Sequence, residues 1–168
     1  SRYKEIRPAI KKKKVVVVGG GAAGMMAAQI LVQRGHEVVL YEKKEKLGGM
    51  LNEICSLPFK EDLRRYVEWD VKTTMESGAR IVLNTEATPE IIGKENPDAL
   101  FIAAGSRLLE LTIPGIEGPN VKHVIDVDNG RTEVGQRVVV CGGGVSGLEC
   151  ALALAMEGRD VKVVDMIP

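Results

Sequence analysis

The sequence is poor in aromatic residues, has no excess of either charge and contains no long apolar run. Aromatic residues make up 4% of the 168 residues, which argues against a surface that stacks the bases of single-stranded nucleic acid. The 23 basic and 23 acidic residues cancel, so no net field steers the chain towards polyanions or anionic membranes. No apolar stretch approaches the ~18 residues of a membrane-spanning helix, and the first residues lack a signal-peptide pattern. We therefore expect neither nucleic acid nor membrane as a partner.

Cysteine is scarce as well. The three cysteines, Cys55, Cys141 and Cys150, form neither a CxxC pair nor a metal-ligand spacing. Cys141 ends an apolar run and Cys150 lies in a predicted helix, so both are expected to be buried small hydrophobic residues. This pattern predicts no metal site and favours a reducing, cytoplasmic location.

What the sequence does contain is an internal repeat. Shifting the chain on itself aligns Val15–Glu42 with Val138–Asp165 without a gap. Each copy has a β-branched apolar run, a glycine-rich turn, an apolar helix that stops at glycine, and a second strand that ends in a carboxylate. That order predicts a right-handed βαβ unit whose strands are covered on both faces. Two copies suit a protein with two nucleotide sites.

The predicted elements follow from these patterns. The copies contain the strand Val15–Val18, helix Ala22–Arg34 and strand Glu37–Glu42, then the strand Val138–Cys141, helix Val145–Glu157 and strand Asp160–Asp165. Between the copies, apolar residues four apart predict a helix over 60–77. Trp69 on this helix is expected in the hydrophobic core. Short strands are expected over 80–83 and 99–104, within a small antiparallel or irregular insert near residues 80–125. The fold class is α/β, with two Rossmann-like βαβ units and parallel sheets.

Each glycine turn has the GxGxxG spacing of a dinucleotide site. The glycines are Gly19, Gly21 and Gly24 in the first copy and Gly142, Gly144 and Gly147 in the second. The first glycine permits the tight turn, the second lets backbone approach a pyrophosphate, and the third allows close helix–strand packing. The helix N-terminus offers free N–H groups to the phosphates. Glu42 and Asp165 follow at the distance of a carboxylate that accepts ribose hydroxyls.

The carboxylate of Asp165 also bears on which nicotinamide cofactor binds. It would repel the 2′-phosphate of NADP. The second site is therefore expected to take NADH, with NADPH less favoured.

Longer stretches resemble a known superfamily. VVVVGGGAAGMMAAQILVQRGHEVVLYEKKEKLGGML resembles the FAD-binding start of the two-dinucleotide-binding-domain flavoproteins. DALFIAAG resembles their strand end that closes on FAD, and GQRVVVCGGGVSGLECALALAMEGRDVKVVD resembles their inserted NAD(P)-binding domain. With IRPAIKKKKVVVVGGG and NEICSLPFKEDLRRYVEWDV, the chain is similar to the C-terminal part of the old-yellow-enzyme-related group. That group includes 2-enoate reductase, 2,4-dienoyl-CoA reductase and trimethylamine dehydrogenase.

The resemblance implies roles for individual residues. Those expected around FAD are Gly19, Gly21, Ala22, Ala23, Gly24, Glu42, Lys43, Gly49, Met50, Leu51, Ala87, Ala103, Ala104 and Gly105. Those expected around NADH are Gly142, Gly144, Val145, Ser146, Gly147 and Asp165. Ala104 stands where the family usually has threonine, which removes one polar contact. No acid–base catalyst is expected, because the flavin supplies the chemistry.

The same comparison excludes disulfide reductase chemistry. Disulfide reductases of this superfamily carry two redox cysteines after the double glycine, and those positions are Leu51 and Ser56 here. The nearby Cys55 is alone, and a single thiol cannot cycle as an internal disulfide.

The resemblance further implies a relay in which NADH at the second unit reduces FAD at the first, and FAD passes electrons to a partner centre. An FMN-bearing barrel and a 4Fe–4S cluster are implied upstream, so the chain is expected to be a fragment with exposed apolar sheet edges. Its small-molecule substrate would be handled by the missing domains, and a homo-oligomer is possible. The expected divisions are a linker over 1–13, an FAD-binding half-domain over 14–113, a connector over 114–136 and a truncated NAD(P)-binding unit over 137–168.

Two alternatives stay open at this point. One is a binding module whose second site holds a nucleotide without turnover. The other is an electron-transfer subunit of a larger complex.

Overall fold

The computed structural model describes residues 5–109 and 111–166, so the predicted linker 1–13 and the predicted unit 137–168 lie partly outside the described residues. The described strands are β1 (Lys14–Val18), β2 (Glu37–Tyr41), β3 (Arg80–Val82), β4 (Ala99–Ile102), β5 (Arg137–Cys141) and β6 (Asp160–Val164). The described α-helices are α1 (Ala22–Gln33), α2 (Leu51–Ile54), α3 (Glu61–Met75), α4 (Pro89–Glu95), α5 (Val124–Asp128) and α6 (Val145–Met156). No helix in the described part is long and apolar enough to cross a membrane.

These elements form two compact units. The first contains the residues up to Asn52 together with Arg65–Arg107, and the second contains Glu53–Arg64 with the residues from Leu108 onwards. The chain therefore leaves the first unit after Asn52 and returns to it within α3. The mixed α/β character and the parallel sheets agree with the predicted fold class.

The first unit is built on a four-stranded parallel sheet in the order β3-β2-β1-β4. Val16 and Val17 in the central strand β1 are fully buried, because apolar clusters cover both faces of the sheet. Val17 and Leu40 face α1 and α3, whereas Val16 packs with Val39 on the opposite face. The alternation of neighbours along one strand is the two-residue period of a pleated sheet.

The prediction of an antiparallel or irregular insert after residue 80 is partly wrong. Strands β3 and β4 join the main sheet in parallel, and α4 between them was missed. Its signals are present in the sequence: Thr88 caps the helix by accepting the N–H of Ile91, and Pro89 occupies the first turn. Asn96 ends the helix with a left-handed φ of 45°. A crossover helix is what parallel strands require.

The predicted helix over 60–77 is α3, and Val67 and Val71 of its predicted apolar face pack inwards, but Met75 does not. Residues four apart drift by about 40° per step around a helix, so Met75 is exposed while Asp70 and Thr74 are buried. Trp69, predicted in the core, is 55% exposed and stacks obliquely on Tyr66 with 5.9 Å between ring centroids. The prediction for Trp69 is therefore wrong, since its position falls on the side of α3 away from the sheet.

The second unit contains the parallel pair β5–β6 with α5 and α6. Cys150 on α6 is 2% exposed, as predicted, whereas the burial predicted for Cys141 is wrong. Cys141 shares one face of β5 with Val139, which is 58% exposed, whereas Val140 on the opposite face is buried. Cys141 is exposed because this face is open among the described residues.

Glu95, at the end of α4, holds that helix to the sheet of the first unit. Its carboxylate pairs with Lys14 Nζ at 2.8 Å, accepts a hydrogen bond from the Tyr41 hydroxyl at 2.5 Å, and accepts another from the Arg80 guanidinium. The hydrogen bond from Lys14, followed by those from Tyr41 and Arg80, lowers the pKa of Glu95 to about 2.

This network predicts a pH-dependent contribution to stability. A carboxylate whose pKa is lowered on folding stabilises the native state above its ordinary pKa, here 4.5, and loses that effect as pH falls towards 2. Glu95→Gln is expected to cost about 1–2 kcal/mol at pH 7, measured by urea unfolding. The exposed Glu45 supplies the control, Glu45→Gln. A gap between wild type and Glu95→Gln that is as large at pH 2 as at pH 7 would contradict the assignment.

Candidate functional site

The first glycine turn joins β1 to α1 and is closed from three sides. Gly19 has a left-handed φ of 102°, and its N–H donates to the Tyr41 carbonyl at 2.8 Å. A Cβ on Gly19 would lie 2.3 Å from the carbonyl oxygen of Ala103, so the end of β4 fits against the turn only because Gly19 has no side chain. A Cβ on Gly24 would lie 1.8 Å from the Gly19 oxygen. Both glycines are therefore required by the fold itself.

Gly21 is different, because neither its backbone nor its surroundings require glycine. Its φ of −79° suits any residue, and the nearest atom to an added Cβ is the Gly49 Cα at 3.9 Å. The space in front of Gly21 is open at the N-terminus of α1. No side chain caps this helix and its first turn holds no acidic residue, so N–H groups face that space. An open, donor-lined cradle of this kind fits a pyrophosphate.

The carboxylate of Glu42 lies beside the same turn. It is 6% exposed, and its oxygens accept the N–H of Gly20 at 2.6 Å and the N–H of Lys44 at 2.8 Å. A Cβ on Gly20 would lie 2.4 Å from Leu47 Cδ2 and 3.1 Å from Glu42 Oε2. The sequence prediction missed Gly20. Its signal was the unbroken run of three glycines, which recurs in the second copy.

The double glycine lies against the first turn. Gly48 donates its N–H to the Gly20 carbonyl at 2.8 Å and forms a bridge with Gly21. A Cβ on Gly49 would lie 2.9 Å from the Gly21 Cα, and α2 begins two residues later at Leu51. Gly49 thus lies against the first turn, and Met50 and Leu51 follow it directly in the chain; their place beside a cofactor stays a prediction.

Other predicted residues gather at the same carboxyl end of the sheet. Ala103 donates its N–H to the Val18 carbonyl, and Ala104 and Gly105 follow it as exposed residues. Residues 84 and 85 bond to Lys44 and Glu42 through their backbones, which places Ala87 near the end of β2. Lys43 is exposed in the loop that follows Glu42.

The second turn reproduces this geometry in the second unit. Gly142 has a φ of 114°, and its N–H donates to the Val164 carbonyl at 2.8 Å. A Cβ on Gly147 would lie 2.1 Å from the Gly142 oxygen. Gly144 has a φ of −71° and no atom within 4 Å of an added Cβ. Asp165 accepts the N–H of Gly143, as Glu42 accepts that of Gly20.

The helix that starts at this turn presents the remaining predicted residues. Val145 and Ser146 are exposed in the first turn of α6, and neither a capping side chain nor an acidic residue occupies that turn. The two units differ at the first glycine of the turn. No atom of the described residues lies within 4 Å of a Cβ added to Gly142, whereas the Ala103 carbonyl lies against Gly19 in the first unit.

The cysteines form no disulfide bond among the described residues. Cys150 is buried beside Asp128, and burial, followed by the hydrogen bond with Asp128, raises the pKa of its thiol to about 12. Burial likewise raises the pKa of Asp128. The thiol of Cys150 is therefore protonated at neutral pH and is not a nucleophile. Positions 51 and 56 carry leucine and serine, so no cysteine pair follows the double glycine.

Two glycine turns, each opening a helix after a parallel strand and each bound to a carboxylate, define a protein with two dinucleotide-binding βαβ units. Residues 13–168 match the family described as pyridine nucleotide-disulphide oxidoreductase, and the chain belongs to this family of flavin- and pyridine-nucleotide-binding oxidoreductases. The family's name includes disulphide chemistry, but this chain lacks the cysteine pair.

Three individual proteins similar to this chain are named as reductases. Bilirubin reductase of Mediterraneibacter gnavus is 42% identical over 98% of this chain and 26% of its own length. Cinnamate reductase of Clostridium sporogenes is 39% identical over 83% of this chain and 21% of its own length. A solved complex of 2-naphthoyl-CoA reductase with 2-naphthoyl-CoA has a TM-score of 0.83 at 36% identity, over 95% of this chain and 24% of that one. The chain spans about a quarter of the length of these proteins.

The contrast between Gly21 and Gly24 is testable. Gly21→Ala should change the stability of the apoprotein by less than about 1 kcal/mol, yet weaken dinucleotide binding at least about tenfold because its methyl group enters the open space. Gly24→Ala should instead destabilise the apoprotein by about 2 kcal/mol or more through the clash with the Gly19 oxygen. Thermal unfolding of the apoprotein and titration with the dinucleotide separate the two effects. Equal loss of stability in both variants would show that Gly21 has a packing role.

Proposed function

We propose that the first unit binds FAD and the second binds NADH, within an NADH-dependent flavin oxidoreductase of the enoate-reductase type. The observation that carries this proposal is the open space at Gly21 and Gly144. Each lies at an uncapped helix start beside a carboxylate, and neither glycine is required by the packing of its own unit.

The assignment of FAD to the first unit rests on the double-glycine loop. Gly49 packs against Gly21, so the loop forms a wall of the first cradle and would border an extended ligand such as FAD beyond its pyrophosphate. The end of β4 supplies a second wall through Ala103. Glu42 would accept the adenosine ribose hydroxyls of FAD, since each of its oxygens has a free lone pair after bonding one backbone N–H.

The preference for NADH rests on Asp165. Its carboxylate is held at the end of β6 by the Gly143 N–H, where it would accept the ribose hydroxyls of NADH and repel a 2′-phosphate.

The chemistry would belong to the cofactors, since FAD, when bound, would supply hydride acceptance and electron transfer. The residues of this chain would bind and orient. The helix starts at Ala22 and Val145 would hold the pyrophosphates, and the two carboxylates would fix the riboses. We assign no acid–base catalyst, because the cofactors would supply the chemistry.

The names of the relatives suggest the wider activity. Bilirubin, cinnamate and 2-naphthoyl-CoA are conjugated unsaturated compounds, and the proteins named for them are reductases. We extend this to a small unsaturated substrate reduced outside this chain, by way of FMN and a 4Fe–4S cluster in upstream domains. A cytoplasmic location and a homo-oligomeric assembly stay predictions.

Anaerobic stopped-flow mixing of the intact protein with NADH tests the relay. Rapid bleaching of flavin absorbance is expected, and Glu42→Ala should retain far less FAD after purification. Saturable NADH binding without bleaching would favour the binding module without turnover instead. That alternative is supported by the repeat itself, which provides a cradle at Gly144 without requiring electron transfer.

Asp165→Asn tests the cofactor preference. Removal of the charge should raise the ratio of NADPH to NADH affinity about tenfold, equivalent to ~1.4 kcal/mol, as measured by titration of the intact protein. Asp160→Asn is the matched control, because Asp160 is exposed at the opposite end of β6. If the two variants discriminate equally between the cofactors, Asp165 does not set the preference.

A further inference from the structure

Three polar side chains are buried together between α1 and α3 in the first unit. Gln29 Nε2 donates to Asp70 Oδ1 at 2.7 Å and to Thr74 Oγ1 at 2.8 Å. The Thr74 hydroxyl donates to the Asp70 carbonyl at 2.8 Å. None of the three residues is more than 5% exposed. We refer to Gln29, Asp70 and Thr74 as the Gln29 cluster.

Burial of the Gln29 cluster between two helices carries a desolvation cost. Asp70 Oδ2 is buried, and no donor among the described residues reaches it. A buried carboxylate bound on one side by a neutral amide stabilises less than well-packed apolar side chains of similar volume. Stability alone therefore does not account for the three residues.

The internal repeat shows what an apolar version of the same helix looks like. Helix α6 occupies the place of α1 in the second copy, and Leu152 stands at the position of Gln29. Leu152 is 52% exposed. It lies in an exposed stripe at helical spacing, which consists of Val145, Leu148, Leu152 and Met156. The chain thus contains two homologous helices, and α3 packs on the polar one.

The start of α3 lies close to the other helix. Lys60, in the turn immediately before α3, forms an ion pair with Glu149 on α6, and both residues belong to the second unit. The first residues of α3 and the exposed apolar stripe of α6 therefore belong to the same unit.

We propose that the Gln29 cluster selects the helix on which α3 packs. On α1, Asp70 and Thr74 find the amide of Gln29. Against Leu152 at the equivalent position of α6, the Asp70 carboxyl group would be buried without the amide donor, and Thr74 would keep only its bond to the Asp70 carbonyl. An unpaired buried polar group is penalised more than a paired one is rewarded. The cluster therefore discriminates between two similar helices, in the way that a single buried polar residue sets register in coiled coils.

The test compares three variants of the intact protein by thermal unfolding and by hydrogen exchange of the α3 and α6 peptides, read by mass spectrometry. Gln29→Leu should lower the unfolding midpoint and speed exchange in α3. Combining Gln29→Leu, Asp70→Leu and Thr74→Val should restore the midpoint but split the α3 and α6 peptides into two exchange populations. Val71→Ala, an apolar change on the same helix, is the control and should lower the midpoint with a single population.

A triple variant that folds with one wild-type population overturns the proposal, as does an unchanged midpoint in Gln29→Leu. If the triple variant does not fold, Leu152→Gln decides the question, because it gives α6 the same amide at an exposed position. Two exchange populations in Leu152→Gln support selection by the amide, and one population overturns it.

Discussion

Both candidate sites depend on one hydrogen bond, from the second residue of the three-glycine run to the carboxylate at the end of the next strand. In the first unit it runs from the Gly20 N–H to Glu42, and in the second from the Gly143 N–H to Asp165. In each copy, this bond fixes the end of the second strand to the glycine turn that follows the first strand. A charge-assisted bond of this kind is about twice as strong as a neutral one, so it holds the turn in place.

This constraint explains why the glycines are not equivalent. Gly19, Gly20 and Gly24 are required by contacts within the first unit, with Ala103, Leu47 and the turn itself. Gly21 is surrounded by open space. The packing thus builds a rigid frame around one position that is left free, and pre-organisation of this kind lowers the ordering cost of binding a dinucleotide.

The two copies share this frame and differ in what surrounds it. In the first unit, β4 and the double-glycine loop enclose the turn, whereas no neighbour among the described residues lies at the equivalent place beside Gly142 in the second. The helices differ in the same way, since Gln29 on α1 is buried with Asp70 while Leu152 on α6 is exposed. Similar local sequences therefore have different environments, and the environment distinguishes one proposed cofactor from the other.

Much of the site was predictable because its signals are local. A β-branched run, a glycine turn, an apolar helix and a terminal carboxylate lie within thirty residues of one another, so spacing alone predicts their contacts. The limits of α1 and α6 agree with prediction to within a residue or two. The parallel pairing of β3 with β2 and of β4 with β1 was not predictable in this way, because it depends on residues far apart in sequence.

The sequence by itself determined the two βαβ units, their turns and the carboxylates that complete them, since each is specified by contacts between residues close along the chain. Only the tertiary structure decided which face of some elements is buried. Trp69 is exposed, Asp70 beside it is buried, and Cys141 lies on an open strand. The physical reason is that burial depends on which element packs against a residue. Asp70 on α3 is buried against Gln29 on α1, some forty residues earlier in the chain.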